Sequence, residues 1–391
     1  MRKASPPLAS APTLPHIGPP RNLAAACPLL RQSGSCLCFL ILQGVIVKLG
    51  LVGYPQVGKK TLFRLLTGQE SLAAGLGLAP VHDARLEHLV ALYNPQQRTP
   101  ATIEIALLPD LEQDSQKNAE ALNSLEQVDA VCHLVRCFSD DSVYHLAGSV
   151  DPARDIARLA EDLQFADMVF VDKRLERIER EQKGQKAESS EKDLLKRMQI
   201  HLEAGRPLSE FDFEGDEEKQ VASYPLLTRK PVINILNTAE DDLQGPLDSL
   251  RSQFATSPFA WIAVSAKIEE ELAELDAEER EIFLADLELP ETALARLTRL
   301  CYETLGLISF FTVGEDEVRA WTIRSGSLAP TAGRAIHTDI ERGFIRAEIM
   351  RYDDLAELGG EQQIKAAGRL QQKGRDYEVN DGDIMHFLFK V

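Results

Sequence analysis

The sequence predicts an α/β fold followed by a smaller mixed sheet, and three observations carry that prediction. Residues 45–52 form a near-continuous β-branched and aliphatic run that ends in a glycine-rich loop and then a helical pattern. Residues 151–205 are charged and carry apolar positions at helical spacing. From Phe310 the punctuation changes to short strands separated by turns.

The run 45–52 has the composition of a parallel strand buried on both faces. After it comes Gly53-Tyr54-Pro55-Gln56-Val57-Gly58-Lys59-Lys60-Thr61, then Leu62, Phe63, Leu65 and Leu66 at helical spacing. Strand, Gly-x-x-x-x-Gly-Lys and helix in that order make a phosphate site. The small residues let backbone N–H groups close around phosphate oxygens, and the helix N-terminus adds partial positive charge. Lys59 is expected to reach the β- and γ-phosphates; the bland alternative is a glycine-rich turn between a strand and a helix. Lys60 stands where a Ser or Thr hydroxyl is needed to ligate Mg²⁺, and an ammonium cannot do so. Thr61 is one residue further on, rotated by about 100° on a helix. Mg²⁺ binding is therefore in doubt.

Composition narrows the function classes. The chain has 391 residues, 44% of them hydrophobic, enough for two or three domains with their own cores. Its formal net charge of −18 repels polyanions, so specific DNA binding is not expected and any RNA contact needs a locally basic face. The stretch from 305 onward is nearly balanced, with 11 Lys and Arg against 14 Asp and Glu. Three of the six cysteines fall in the first 44 residues, and Cys132, Cys137 and Cys301 lie outside any Cys-x-x-Cys pair. No zinc site or disulfide framework is implied, and a reducing cytoplasm is the expected location.

Residues 1–44 hold seven of the twenty prolines, four basic residues (Arg2, Lys3, Arg21, Arg31) and no acidic ones. They read as coil up to the apolar run 37–42. A secretory signal would be followed by a small-residue cleavage site, whereas here the chain runs straight into a strand and phosphate loop. The expectation is a disordered or mis-set extension, with translation beginning near Val45 or Ile46.

The phosphate loop resembles that of the Obg-like ATPase (YchF) family, TRAFAC-class P-loop proteins in which it reads Gly-x-Pro-Asn-Val-Gly-Lys-Ser-Thr. Here Gln56 replaces Asn and Lys60 replaces Ser. The resemblance runs from about Val45 to the C-terminus, through Pro100-Ala101-Thr102-Ile103-Glu104, Val131-Cys132-His133-Leu134-Val135-Arg136-Cys137-Phe138 and Gly148-Ser149-Val150-Asp151-Pro152-Ala153-Arg154-Asp155. It is strongest in Phe310-Phe311-Thr312-Val313-Gly314, Glu317-Val318-Arg319-Ala320-Trp321-Thr322, Ile336-His337-Thr338-Asp339, Gly343-Phe344-Ile345-Arg346-Ala347-Glu348 and Asp381-Gly382-Asp383, which look like the family's TGS domain. It implies a P-loop NTPase G-domain-like sheet over 45–304, with a helical hairpin inserted at about 151–205, and a C-terminal β-grasp (TGS) domain over 305–391.

The resemblance breaks where the catalytic apparatus is expected. The second strand, 102–108, should end in Asp-x-x-Gly, which positions the Mg²⁺ shell and senses the γ-phosphate. In this chain Leu107 replaces the aspartate and Asp110 the glycine. The stretch 68–80 is rich in Ala, Gly and Leu and lacks a threonine-bearing loop to close over metal and phosphate.

Base recognition is better kept. After the apolar strand 232–236 comes Asn237-Thr238-Ala239-Glu240, matching the family's Asn-x-x-Glu rather than the Asn-Lys-x-Asp of guanine-selective relatives. Ser265-Ala266-Lys267 follows strand 261–264, where the family closes the base pocket. By resemblance this favours adenine; taken alone, the four residues read as an ordinary polar turn between strand and helix.

Outside the nucleotide core, Leu163, Leu175 and Ile178 on one arm and Leu194, Leu195, Met198 and Leu202 on the other are expected to face each other in the hairpin, with a break at 184–190. The Glu-rich stretch 269–288 reads as one solvent-facing helix with Leu272, Leu275, Ile282 and Phe283 inward. In the C-terminal part the expected elements are a strand over 318–323, a turn at Arg324-Ser325-Gly326, a strand over 344–349, a helix near 352–358 and a last hairpin closed by Asn380-Asp381-Gly382. Arg334, Arg342, Arg346, Lys365, Arg369, Lys373 and Arg375 either form a face toward ribosomal RNA or are ordinary surface charge. His337 beside Asp339 is expected to make a structural hydrogen bond.

The resulting expectation is an ATP-binding protein of the Obg-like ATPase type, associated with ribosomes or translation, with slow or lost hydrolysis. The alternatives are an inactive scaffold acting through its TGS domain and a GTP-binding protein, the latter disfavoured by Glu240. No membrane association is expected.

Overall fold

The computed structural model describes residues 47–69, 71–72, 74–181 and 190–390. The extension 1–44 and residues 184–189 of the hairpin's expected break lie outside the described residues.

In chain order the first strands are β1 (Lys48–Val52), β2 (Leu76–Pro80), β3 (Gln97–Thr99), β4 (Thr102–Leu107), β5 (Ala130–Arg136), β6 (Val232–Asn237) and β7 (Phe259–Val264). Six of them form one sheet in the order β2-β4-β1-β5-β6-β7. The five strands β4, β1, β5, β6 and β7 run parallel, and β2 joins antiparallel at the edge. Every residue of β5 and β6 is buried, which is what their unbroken apolar runs demand of a parallel sheet covered on both faces. From β1 the order extends to β4 on one side and β5 on the other. The crevice outside the carboxyl end of β1 is thus the topological switch point, where open α/β sheets receive ligands.

Two strands, β2 and β3, lie between β1 and β4, so the stretch expected as the second strand is the fourth. The edge strand β2 was hidden by its composition, Leu-Gly-Leu-Ala-Pro, which has low β propensity. Its glycine is required by packing, since a Cβ at Gly77 would lie 2.5 Å from Thr67 Cγ2.

The helices that frame this sheet include α1 (Lys59–Thr67), α2 (Ala84–Tyr93), α3 (Ala119–Leu125), and the hairpin pair α4 (Pro152–Glu181) and α5 (Ser190–Glu203). The start of α4 carries residue types that suit a helix N-terminus. Pro152 occupies its first turn, and Asp151 Oδ1 accepts the Arg154 N–H at 3.1 Å. Leu175, Ile178, Leu194, Leu195, Met198 and Leu202 share a separate core between the arms, whereas Leu163 packs into the main core under the sheet. Among the described residues no helix is long and apolar enough to cross a membrane.

The Glu-rich stretch is not one helix. It breaks at Leu275 into helices Ala266–Glu274 and Ala277–Asp286, the second begun by a capping box between Asp276 and Glu279. Leu272 is buried as expected, but Ile282 is 64% exposed and so faces outward. Glu269 is buried rather than solvated: its Oε1 accepts the Ala293 N–H at 2.6 Å, at the start of helix Ala293–Thr304.

The second sheet contains β8 (Leu307–Thr312), β9 (Glu317–Arg324), β10 (Phe344–Arg351), β11 (Gln371–Lys373) and β12 (Asp383–Phe389), in the order β11-β10-β12-β8-β9-β3. β8 and β9 form an antiparallel hairpin, and β12 lies parallel to β8 at the centre. Helix Ala329–Ile336 packs on β9 and β10, completing a β-grasp arrangement. That helix was not legible in the sequence because it contains both Pro330 and Gly333. Its buried Ala329, Ala332 and Ala335 repeat every three residues on one face. The helix expected near 352–358 is present as Tyr352–Leu358.

Asn380-Asp381-Gly382 does not close a hairpin. The turn delivers β12 into the middle of the sheet, between β10 and β8, while β11 pairs with β10 on the far edge. β3, from the N-terminal half of the chain, is the opposite edge strand and pairs in parallel with β9. Arg85 of α2 adds a second link, with its two terminal nitrogens on the Asp381 carboxylate at 2.7 and 3.1 Å. Leu307, Phe311, Val318, Met350 and Ile384 consequently belong to the same core as Leu49 and Val52.

Candidate nucleotide-binding site

The carboxyl ends of β1, β4, β5, β6 and β7 lie along one margin of the first sheet, and the candidate residues cluster in the loops that leave them. Gly53 follows β1 in a confined position, where a Cβ would lie 2.5 Å from the Leu134 carbonyl oxygen of the neighbouring β5. Gln56 and Gly58 both take positive φ, 61° and 98°, which curl the loop into a nest before α1 begins. Gly58 is the N-cap of α1 with no side-chain cap, and the first turn of the helix holds no acidic residue. The helix N-terminus thus keeps its donors and its partial positive charge for an anion.

Lys59 is only 6% exposed, so its ammonium must be paired within the protein. Its Nζ donates to the carbonyls of Leu108 at 3.1 Å and Pro109 at 3.2 Å, and forms an ion pair with Asp110 Oδ1 at 2.6 Å. Burial draws the ammonium below the ordinary lysine range, and the hydrogen bond and charge of Asp110 work against that. These three partners on the loop after β4 were not anticipated from the sequence as contacts of Lys59. The available signal was the acidic residue at position 110. Lys60 is exposed and Thr61 half-buried.

The second half of the site is organised by Asn237 at the end of β6, which is 5% exposed. Its Nδ2 donates to the Val57 carbonyl at 2.9 Å, and its Oδ1 accepts the Ala266 N–H at 3.1 Å. One side chain therefore joins the phosphate loop to the loop after β7. Thr238 donates its backbone N–H to Val264 O at 3.0 Å, tying the loop after β6 to the end of β7. Ser265 is the N-cap residue of helix Ala266–Glu274 but makes no side-chain cap, and its buried Oγ has no hydrogen-bond partner among the described residues. Such an orphaned hydroxyl beside Asn237 suits a polar ligand group. Glu240 and Lys267 form an ion pair with each other across the rim, both substantially exposed.

Arg136, at the end of β5, is a further organising residue that the sequence did not single out. Its fully buried guanidinium donates to the carbonyls of Phe138, Asp140 and Val143 at 3.0–3.1 Å, fixing the loop beside the site. Burial lowers its pKa from the ordinary arginine value.

The basic residues of the C-terminal part do not form a uniform face. Arg334, Lys365 and Arg369 are each paired with a carboxylate, while Arg342 and Arg346 are exposed around the exposed Ile345. His337 Nδ1 accepts the Asp339 N–H at 3.2 Å and caps the short helix Thr338–Gly343.

Comparison with known proteins places this geometry among relatives. The family model YchF-GTPase_C, described as a protein of unknown function, matches residues 307–390. The chain is 38% identical over 361 residues to the Ribosome-binding ATPase YchF of Bacillus subtilis (strain 168), covering 88% of this chain and 99% of that one. It is 35% identical over 376 residues to Obg-like ATPase 1 of Rattus norvegicus, covering 89% and 93%. Among solved structures, the Schizosaccharomyces pombe YchF GTPase superposes with a TM-score of 0.75 at 32% identity, covering 88% of this chain and 99% of that chain. A GTP binding protein from Pyrococcus horikoshii OT3 shares the fold, with a TM-score of 0.57 at 18% identity over 88% and 100% of the two chains.

Proposed function

The chain belongs to the YchF/Obg-like ATPase family, and from that premise we propose that it binds an adenine nucleotide and acts as a switch associated with the ribosome or translation, with slow or lost hydrolysis. The observation that carries the reading is the double contact of Asn237, which ties the phosphate loop at Val57 to the base-side loop at Ala266. A loop built only to turn a strand into a helix has no need of that bridge. The residues we assign to the nucleotide are Gly53, Gln56, Val57, Gly58, Lys59, Lys60 and Thr61 on the phosphate side, and Asn237, Thr238, Glu240, Ser265, Ala266 and Lys267 on the base side.

In this reading the loop amides and the N-terminus of α1 receive the phosphates, and Lys59 neutralises their charge from a buried position. Glu240 stands where guanine-selective sites place an aspartate that accepts both N–H donors of the guanine edge, which favours ATP over GTP. The names of related proteins divide on this point, since the curated relatives are called ATPases and the S. pombe structure a GTPase. Lys60 presents an ammonium where a hydroxyl ligand is required, so the residues present do not fit a protein-held Mg²⁺, and the reading contains no metal step. Lys60, Leu107 and Asp110 together support slow or absent hydrolysis. They equally favour the second reading, a scaffold that works through its C-terminal β-grasp domain.

Ribosome association is proposed from the names of the bacterial relatives. On this chain the exposed group Arg342, Ile345 and Arg346 on and beside β10 is the part of the C-terminal sheet best suited to RNA. The cytoplasm is the location that fits.

The deciding experiment is calorimetric titration of the full chain with ATP and GTP, with and without Mg²⁺, alongside phosphate release over hours and co-sedimentation with ribosomes. ATP binding that is insensitive to Mg²⁺ and turns over slowly or not at all is expected. Tighter binding of GTP overturns the adenine assignment, rapid Mg²⁺-dependent turnover overturns the loss of hydrolysis, and no nucleotide binding leaves the scaffold reading.

A further inference from the structure

The Lys59 ammonium has three N–H donors, and three oxygens receive them: the carbonyls of Leu108 and Pro109 and the carboxylate of Asp110. The partners differ in how firmly they are held. Leu108 and Pro109 contribute backbone oxygens from a segment anchored by the buried side chains of Leu108 and Leu111. The Leu111 N–H also donates to the Gly53 carbonyl at 3.1 Å, fastening this segment to the first residue of the phosphate loop. Asp110 lies between these anchors, so its carboxylate is presented to Lys59 by a loop pinned on both sides. Its side chain is 50% exposed against 5% for Lys59, which makes it the one partner of the three that can swing into water.

We propose that Asp110 is a specificity-determining residue: its carboxylate holds the Lys59 donor that a terminal phosphate would take, so the site prefers a nucleoside diphosphate to a triphosphate. The inference rests on the nucleotide-binding reading above. The phosphates of a diphosphate can be received by the loop amides and the N-terminus of α1 with the Lys59–Asp110 pair intact. A triphosphate brings a further anionic group to the same ammonium. It must turn Asp110 out, losing the ion pair, or lie beside a like charge. Because Asp110 is half-exposed, the cost is graded rather than prohibitive, and a preference of about tenfold is expected.

The test is calorimetric titration of the full chain with ADP and with ATP, on the wild type and on the variants Asp110→Gly and Asp110→Asn. The wild type is expected to bind ADP about tenfold more tightly than ATP. Both variants should tighten ATP until the two nucleotides bind within about twofold of each other, with ADP affinity unchanged. ADP binding with no preference in the wild type, or with a preference that survives in both variants, overturns the role of Asp110 and leaves the nucleotide-binding reading standing. Failure of the wild type to bind either nucleotide overturns both. Where one variant fails to fold, the wild-type ratio and the other variant still decide.

Discussion

Asn237 and Val57 lie 180 positions apart in the chain, and the Asn237 side-chain amide donates to the Val57 carbonyl at 2.9 Å in the interior of the protein. The other end of the same amide accepts from the Ala266 backbone, so a single side chain satisfies two buried main-chain groups belonging to different loops. Asn237→Ala removes both partners at once and leaves a carbonyl and an N–H unpaired away from water. The expected cost is about 2–3 kcal/mol of folding stability, read as a lower urea midpoint at constant slope. The variant should also lose adenine-nucleotide affinity, because the two loops are no longer held in register. A midpoint unchanged from the wild type would show that the bridge contributes nothing.

His133 gives the protein a dependence on acid. It is 1% exposed within β5, its Nδ1–H donates to Asn234 Oδ1 at 3.2 Å, and burial holds its pKa down to about 4, against the opposing effect of the Asn234 contact and with a smaller push from Lys59. An unfolded imidazole takes up a proton below about pH 6.5, whereas the folded one stays neutral to about 4. The unfolded chain therefore binds more protons across that window. Stability from this group is complete above pH 6.5 and is lost as the pH falls toward 4, up to about 3 kcal/mol. Urea unfolding of the wild type and of His133→Leu at pH 7.5 and pH 4.5 isolates the effect. The wild type should lose more stability between the two, and equal losses would count against the buried neutral imidazole.

The rim pair of Glu240 and Lys267 allows base selectivity to be tested with little effect on the fold, since both side chains are substantially exposed. Shortening the acid in Glu240→Asp is expected to move the ratio of ATP to GTP affinity several-fold toward GTP, while the urea midpoint stays that of the wild type. Competition between the two nucleotides for one site gives the ratio directly. A ratio that does not move would remove Glu240 from base recognition.

How much of this was legible in the sequence follows from the range over which each feature is encoded. The strand 48–52, the loop glycines and helix α1 were readable because apolar run, punctuation and helical spacing lie within one stretch of chain. The hairpin arms were readable for the same reason, although Leu163 joins the main core instead of the hairpin. The edge strand β2 and helix Ala329–Ile336 were not, since Gly77 and Gly333 serve close packing against Thr67 and Ile340, and together with Pro80 and Pro330 they mask the local propensity. Asp110 could be recognised as an anomaly, but its partner could not be named, because the pairing arises only when β4 is laid beside β1. The last turn failed as a hairpin signal because its two flanking strands belong to different places in the sheet.

Gly58 combines two constraints that a pair of substitutions can separate. Its φ of 98° lies in the left-handed region, and a Cβ there would stand 2.6 Å from Asn237 Nδ2. Gly68, at the other end of α1, also has positive φ, 64°, but a Cβ there would meet nothing within 4 Å. Gly68→Ala should therefore cost only the conformational term, about 1 kcal/mol. Gly58→Ala carries a similar backbone term and in addition must push Asn237 off the Val57 carbonyl, for a total of about 2–4 kcal/mol. Because the added loss is the loss of the Asn237 bridge, Gly58→Ala combined with Asn237→Ala should cost less than the sum of the two single changes, by about 1 kcal/mol or more. Urea unfolding of the two single variants and the double variant measures that coupling. Strict additivity would mean that the new methyl group and the Asn237 side chain act independently, and that the phosphate loop does not depend on Asn237 for its shape.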